Sequence, residues 1–197
     1  MMYRSVAIIV LAGCLSVASG SHDIANAQSG ANELDANSET SCARPGTNKV
    51  ASYDLSEGTA LPKAINSRLT KEKGNPLSGR GVMISPETGN CTSCHAVQDI
   101  RKKARQADST SVTKFGLQGT VGPALDGIAN KFTEGELRLL VVNPQLAFPN
   151  ADSAMPAYHY IKSRKRVRKE CAGRVILTAQ EVEDVVAYLL TLKDEKQ

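Results

Sequence analysis

Apolar side chains recur at helical spacing near the end of the chain, and a helix-start signal comes directly before them. The signal is Thr178-Ala179-Gln180-Glu181, which has the S/T-x-x-E pattern of a capping box. The apolar positions that follow are Val182, Val185, Val186, Leu189 and Leu190. This pattern predicts a helix that begins after Thr178, buries one face and continues to about Lys193.

A second capping box, Thr133 to Glu136, precedes Leu137, Leu139, Leu140 and Val141, and predicts a helix that Pro144 ends. A shorter helix is predicted over 76–84, before Pro86, and another helix after the turn-rich segment 86–95. Residues 101–120 are polar and basic, which predicts a surface loop. Because no segment alternates apolar and polar residues for long, the predicted fold class is all-α, a small helical domain with long loops.

Composition excludes several classes of protein. The chain has 197 residues, of which 41% are hydrophobic and 22% charged, with a formal net charge of +4, so a packed core is possible. Aromatic residues make up 4% and Trp is absent, which argues against base-stacking modules and against a nucleic-acid partner. No apolar run reaches the roughly 20 residues of a membrane-spanning helix, so no transmembrane span is expected.

The first 27 residues have the pattern of an export signal. Arg4 is followed by an apolar stretch, and the small-residue site Ala25-Asn26-Ala27 precedes Gln28. A competing interpretation is a lipid anchor at Cys14, since Leu11-Ala12-Gly13-Cys14 resembles a lipobox. In either case the mature chain leaves the cytoplasm. The predicted organisation is a signal peptide over 1–27, a polar tether over 28–59 and one domain over 60–197.

Cys91-Thr92-Ser93-Cys94-His95 is a C-x-x-C-H sequence, the attachment motif of c-type haem. Two cysteines one helical turn apart can form thioethers to one edge of a porphyrin, and the adjacent His95 then ligates the iron. A thioredoxin-like dithiol would need a βαβ context, and a zinc ribbon a second C-x-x-C, and both are absent. One motif predicts one covalent haem c and makes His95 its metal ligand.

The second axial ligand must come from elsewhere in the chain, or the site stays open. Met155 lies 60 residues after His95, in a polar loop between the two capped helices, where a methionine has little use in a core. We therefore predict Met155 as the metal ligand, with Met83 interpreted as core filler and His159 as the other candidate. Histidine–methionine ligation raises the reduction potential and suits electron transfer.

The free ring nitrogen of a ligating histidine normally donates to a carbonyl or carboxylate group. Gly122-Pro123 is a candidate for this contact, because Pro123 offers a carbonyl and Gly122 lets the chain pass close to the ring. An ordinary turn is the alternative interpretation.

In this order the motifs resemble class I cytochromes c: C-x-x-C-H, a Gly-Pro loop, a Met-Pro loop and a final helix with Tyr188. The resemblance implies that the Pro123 carbonyl accepts a hydrogen bond from His95, and that the N- and C-terminal helices cross. It also implies the class I cytochrome c fold around one covalent haem.

A more specific resemblance, over about residues 60–193, is to the SoxX family of monohaem cytochrome subunits. It rests on segments 121–127, 135–138, 142–144, 155–158 and 176–189, and it is poor at 162–170. The family implies a periplasmic electron-transfer subunit that forms a SoxAX heterodimer with a SoxA-type cytochrome. That complex, an L-cysteine S-thiosulfotransferase, oxidatively attaches thiosulfate to a cysteine of the SoxYZ carrier.

The same resemblance implies that the catalytic haem lies in SoxA, so no catalytic residue is expected in this chain. SoxYZ and a small acceptor cytochrome would bind transiently. The alternative function is a free-standing cytochrome c that shuttles electrons in a respiratory chain.

Two further features remain after the haem motif. Cys42 and Cys171 are predicted to form a disulfide in an oxidising compartment, with a cross-link to a partner or two free thiols as alternatives.

The run 162–170 carries six positive charges and one negative charge. It is interpreted either as a solvated loop or as a docking patch for an acidic partner.

Overall fold

The computed structural model describes residues 42–107, 118–161 and 169–194. The predicted signal peptide, the lipobox Cys14, residues 28–41 of the tether and positions 162–168 of the basic run lie outside these ranges. Within the described ranges, none of the helices combines the length and the apolar character needed to cross a bilayer.

Helices make up nearly all of the regular structure in these ranges, as the all-α prediction requires. They are α1 (Pro76–Ile84), α2 (Gln98–Ala107), α3 (Ile128–Lys131), α4 (Glu134–Val142), α5 (Pro144–Ala147) and α6 (Ala179–Leu189). Short 3-10 turns lie at Cys91–Ser93 and Lys169–Cys171. Two strands of two residues, β1 (Ser56–Glu57) and β2 (Lys63–Ala64), pair antiparallel with Ser56 opposite Ala64.

Both predicted capping boxes are present. The Thr133 hydroxyl accepts from the Glu136 N–H at 3.3 Å, while Glu136 accepts from the Thr133 N–H at 2.8 Å. Thr178 and Glu181 repeat the arrangement at 3.2 and 2.8 Å. The helices that these boxes start are therefore confirmed, although α6 ends at Leu189, before the predicted Lys193.

Helix α1 has the predicted bounds and crosses α6. Asn75 caps its first turn, because the side chain of Asn75 accepts from the N–H of Leu77 at 2.9 Å. Gly79 faces the Asp184 carbonyl of α6 so closely that a Cβ atom would collide with it. The crossing of the N- and C-terminal helices is thus a contact of backbone on backbone.

The surface loop predicted over 101–120 is wrong in its first part, because α2 extends through Ala107. Ile100 and Ala104, four residues apart, are buried and give this polar segment one apolar face. Asp126 accepts from the Gln98 N–H at 2.9 Å and so caps the start of α2. Residues 108–117 lie outside the described ranges.

The described part of the predicted tether, 42–59, packs on the helices, and the domain boundary at residue 60 stays a prediction. A disulfide joins Cys42 to Cys171, with the two Cα atoms 5.2 Å apart, as the spare cysteines predicted. Arg44 forms an ion pair with Glu181 and donates to the Ile176 carbonyl at 2.7 Å. A charged side chain and a disulfide fix the start of this segment, and Tyr53 packs against the hydrophobic core farther along it.

Candidate functional site

The C-x-x-C-H sequence folds into a single tight turn. The N–H groups of Cys94 and His95 both donate to the Cys91 carbonyl, at 3.1 and 2.9 Å. Asn90, which precedes the turn, has φ 47°, a left-handed conformation that asparagine tolerates better than most residues. Two thiols and one imidazole therefore project from one local unit.

The thiols of Cys91 and Cys94 are not joined to each other, although Cys42 and Cys171 are. Burial raises the pKa of the Cys91 thiol to about 12, so this sulfur is a neutral thiol. Metal-binding and redox-active cysteines instead need a lowered pKa. Among the residues that the structure describes, no group of three or more His, Cys, Asp or Glu side chains is placed to hold a metal ion.

The imidazole ring of His95 is held by one hydrogen bond. Its Nδ1 lies 2.7 Å from the Pro123 carbonyl oxygen, the contact that the resemblance implies. Since Pro123 offers only an acceptor, Nδ1 carries the proton and Nε2 has a lone pair. Nε2 makes no hydrogen bond to the described residues, so it is the ring nitrogen that can ligate a metal.

Gly122 lets the backbone approach the imidazole. A Cβ atom at this position would lie 2.6 Å from Nδ1 and 2.8 Å from Nε2 of His95, distances that no side chain tolerates. The Gly122 N–H donates to the Cys94 carbonyl at 2.9 Å, and the Leu125 N–H to the Ala96 carbonyl at 2.9 Å. The loop therefore runs alongside the C-x-x-C-H turn and cannot move away from it freely.

Gln118 fastens the start of the same loop. Its amide oxygen accepts from the Val97 N–H at 2.6 Å and its amide nitrogen donates to the Val97 carbonyl at 3.1 Å. Both backbone groups of a buried residue next to the haem motif are thereby satisfied. Gln118 was not predicted as a site residue from the sequence.

The two candidate methionines lie in different environments. Met83 is 1% exposed inside the core, as expected for a core filler. Met155 is half-buried in the loop after α5, packed against the edge of the core, and its N–H donates to the Ser153 hydroxyl at 3.2 Å. Met155 is thus the methionine whose sulfur is not enclosed by the core.

His159, the other candidate axial ligand, has no ring nitrogen left for a metal. Its Nε2 accepts from the Ala51 N–H at 2.9 Å, and its Nδ1 donates to the Leu177 carbonyl at 2.8 Å. The residue is fully buried, and burial lowers the pKa of its imidazole. The structure therefore places His159 among the residues that hold the fold.

The cytochrome c family model matches residues 80–193, which is more than half of the chain. The chain belongs to the cytochrome c family. Among solved structures, this cytochrome is similar to the crystal structure of SoxXA from P. pantotrophus, with 31% identity and a TM-score of 0.56. The match covers 72% of this chain and 95% of that one, and it confirms the resemblance to SoxX-type cytochromes. No curated protein sequence matches the chain.

A covalent haem c, which the cytochrome c family implies, fits the chemistry of this site. Cys91 and Cys94 are unpaired thiols in one turn, as thioether formation requires. His95 has its Nδ1 occupied and its Nε2 open. These three residues are the ones that would hold the group in this cytochrome.

The buried charges of the cytochrome belong to the fold and not to this site. Arg138 is fully buried and bonds Glu183 through Nε at 2.8 Å, Ile65 O at 2.7 Å and Glu134 at 2.5 Å. In the sequence, Arg138 stands out only as part of the family segment 135–138. The available signal was a basic residue between Leu137 and Leu139 in an otherwise apolar helix.

Glu136 is a second buried charge with a structural function. One carboxylate oxygen accepts from the N–H groups of Thr59, Ala60 and Leu61, at 2.6, 2.5 and 2.7 Å. The other accepts from Thr133, and these bonds together lower the pKa of Glu136 to about 2. This carboxylate thus fixes the chain around β1 to the start of α4.

Proposed function

We propose that this cytochrome is the electron-transfer subunit of a SoxAX-type complex. The observation that carries the proposal is the C-x-x-C-H turn with its His95–Pro123 hydrogen bond, set in a chain that matches nearly all of a SoxXA chain. A bound haem c would supply one-electron redox chemistry at its iron.

In this proposal, different residues attach the haem, ligate its iron and orient the histidine ligand. Cys91 and Cys94 attach one haem c covalently, and His95 and Met155 are the metal ligands. Pro123 fixes the tautomer and orientation of His95 and makes its Nε2 a better electron donor. The neutral thioether of Met155 favours the reduced state and so raises the reduction potential.

The SoxXA match supports the proposed SoxA-type partner, and the resemblance to the SoxX family suggests the other partners. This cytochrome would form a heterodimer with a SoxA-type subunit that carries the catalytic haem, and would itself contain no catalytic residue. It would accept electrons released when thiosulfate is attached to a SoxYZ cysteine, and pass them to a small cytochrome. The chain would act in the periplasm after cleavage behind Ala27.

The cofactor part of the proposal is tested on the exported full-length protein. We expect an intact mass that corresponds to cleavage behind Ala27, one haem and one disulfide. Met155→Ala should change the visible spectrum of the ferric protein, because a methionine–iron bond gives its own weak charge-transfer band. Met83→Leu is the matched control, since it alters a buried methionine and should leave that band in place. A spectrum that Met155→Ala does not alter would refute the ligand assignment.

The partner part is tested by co-expression with a SoxA-type cytochrome. We expect a stable 1:1 complex whose monohaem subunit is reduced by thiosulfate only when SoxYZ is present. A cytochrome that purifies alone, and that a respiratory chain reduces without thiosulfate, would instead support the free-standing electron shuttle.

A further inference from the structure

We infer that His159 is a positioning residue for Met155: its two ring nitrogens fix the chain that carries the methionine. The inference rests on the proposed function, because it takes Met155 as the iron ligand. It differs from the candidate ligation by His159 itself, which the two hydrogen bonds of the ring exclude.

The imidazole of His159 joins two segments that are far apart in sequence. On one side it accepts from the Ala51 N–H, 108 residues earlier, and on the other it donates to the Leu177 carbonyl, 18 residues later. Both backbone groups lie in irregular segments, where no helix or sheet partner is supplied. The imidazole is fully buried and its bond to Leu177 is buried with it, so water cannot replace that bond, whereas the bond to Ala51 is part-buried.

The backbone next to this imidazole is fixed as well. The N–H groups of Tyr158 and His159 donate to the Val141 and Val142 carbonyls at the end of α4, both at 3.2 Å. The Tyr158 carbonyl accepts from the N–H groups of Ile176 and Leu177 at 2.9 Å. The chain just after Met155 is therefore held on the last carbonyls of a helix and on the segment that leads into α6.

The segment that contributes Ala51 is itself anchored at its other end. The Cys42–Cys171 disulfide and the hydrogen bond from the Val175 N–H to the Thr47 carbonyl, at 2.8 Å, fix it beside the Leu177 segment. His159 thus bonds to two partners that are already held relative to each other, which makes its own position well defined.

Met155 is only four residues from this anchor, and Pro156 removes part of the freedom between them. The hydrogen bonds described on the other side of the loop are less buried, such as Gln145 Nε2 to the Ser153 carbonyl at 3.3 Å. We conclude that the His159 side controls where the Met155 sulfur can lie. The Met155 thioether is a neutral and weak ligand. If it is misplaced, an added ligand should displace it from the iron more easily.

The test uses the full-length holoprotein and three variants. His159→Leu removes both ring hydrogen bonds. His159→Asn can keep the donor to Leu177, and His159→Gln can keep the acceptor for Ala51. The measurement is the apparent affinity of added imidazole for the ferric protein, which must displace Met155. We expect about tenfold tighter binding for His159→Leu and ~3-fold for each partial variant, since one hydrogen bond changes an equilibrium by roughly this factor.

Ile65→Ala is the matched control, because Ile65 is fully buried but its side chain makes none of these bonds. If His159→Leu and Ile65→Ala are equally destabilised and neither tightens imidazole binding, the inference is wrong. If Ile65→Ala tightens binding as much as His159→Leu, it is also wrong, because loss of stability alone would then explain the effect.

Met155→Ala separates this inference from the proposed function. If that variant binds imidazole as the unsubstituted protein does, Met155 is not a ligand and the proposed function has lost its ligand set. If it binds far more tightly while the His159 variants do not differ from the control, only the positioning inference fails.

Discussion

Two parts of this cytochrome place polar or reactive side chains close to its core: the cluster around Arg138 and the C-x-x-C-H segment. In the first, the Arg138 guanidinium has Glu183, Glu134 and the Ile65 carbonyl as partners. In the second, neither thiol is in a disulfide, Cys94 Sγ accepts from the Ser93 hydroxyl at 3.7 Å, Cys91 Sγ contacts the Tyr158 hydroxyl, and the His95 ring makes one hydrogen bond. The polar groups of the Arg138 cluster are thus bonded to other groups of the fold, whereas Nε2 of His95 has no hydrogen bond to the described residues and the two thiols remain available for thioether formation.

This difference separates residues that hold the fold from residues that bind a cofactor. Burial alone does not distinguish them, since Glu136 is fully buried in one region and Thr92 is buried in the other. The count of protein partners per polar atom does distinguish them. Substitutions in the Arg138 cluster should therefore lower the unfolding free energy without changing the coordination of the haem iron. Substitutions beside His95 should change that coordination.

The largest effect on stability is expected for Arg138→Met. Removing the guanidinium leaves the buried Glu183 carboxylate without its charged partner, which costs about 3–5 kcal/mol of unfolding free energy. Denaturant titration of the holoprotein measures this loss. The visible spectrum of the folded variant should not change.

Lys103→Met is the matched control for Arg138→Met. It also removes a cation from an ion pair, but the Lys103–Asp99 pair is exposed, with N and O 3.1 Å apart, and should contribute under 1 kcal/mol. Equal losses for the two variants would contradict the distinction between the two regions.

Gly122→Ala should have the next largest effect and a different signature. The new methyl group would meet both nitrogens of the His95 ring, so either the ring or the loop must move, which costs about 3 kcal/mol. We expect the ferric spectrum to change as well, because the ring that we propose as the iron ligand is displaced. Absorption spectra and denaturant titration of the same samples check both parts.

Gly81→Ala provides the comparison, since nothing lies within 4 Å of a Cβ atom at that position of α1. There alanine should stabilise the protein by about 0.5–1 kcal/mol through helix propensity and leave the spectrum unchanged. A Gly122→Ala protein with a normal spectrum would show that the close approach to His95 has no effect on coordination.

Local signals explain what could be predicted from the sequence. Each capping box lies within four residues, so Thr133 and Thr178 identify their helices without knowledge of the fold. The haem motif is equally local, and the family order of motifs supplied the Pro123 partner. Apart from the Cys42–Cys171 disulfide, which followed from the two cysteines left after the haem motif, the predictions that succeeded were those whose physical cause lies within one segment or one known motif order.

Long-range bonds explain what could not be predicted. His159 bonds to Ala51 and Leu177, and nothing near it in the sequence indicates either partner. The helix predicted after segment 86–95 is α2, but its extension from residue 101 to Ala107 was not predicted, because two buried side chains, Ile100 and Ala104, are enough to anchor a segment that is otherwise charged. Whether a polar residue is buried and hydrogen-bonded in the fold thus depends on partners that are far away in the sequence.

The stability of the protein should fall on acidification, in part because Glu136 stabilises the fold only as a carboxylate. Its hydrogen bonds lower its pKa to about 2 in the folded state, below that of an ordinary glutamate near 4.5. A lowered folded-state pKa adds stability that is present above the unfolded pKa and is lost as the pH falls from about 4.5 towards 2. Between pH 7 and pH 3 this residue should account for about 2 kcal/mol of the stability lost.

Glu136→Gln tests this assignment, because glutamine has a similar shape and does not titrate. The variant should be less stable at pH 7 and should lose less stability on acidification than the unsubstituted protein. If both proteins lose the same free energy between pH 7 and pH 3, measured by denaturant titration, Glu136 is not the group responsible.

The smallest effect is expected for Asp126, a helix cap at the edge of the cofactor region. Its bond to the Gln98 N–H, at 2.9 Å, is exposed to solvent, so water can replace it when the side chain is removed. Asp126→Ala should therefore reduce the unfolding free energy by only about 0.5–1 kcal/mol, and Asp126→Asn, which keeps an acceptor, by less. Neither variant should alter the ferric spectrum, because the His95–Pro123 bond does not depend on this cap. A spectral change in Asp126→Ala without one in Asp126→Asn would place the start of α2 among the elements that orient His95, and would extend the cofactor region beyond its own loop.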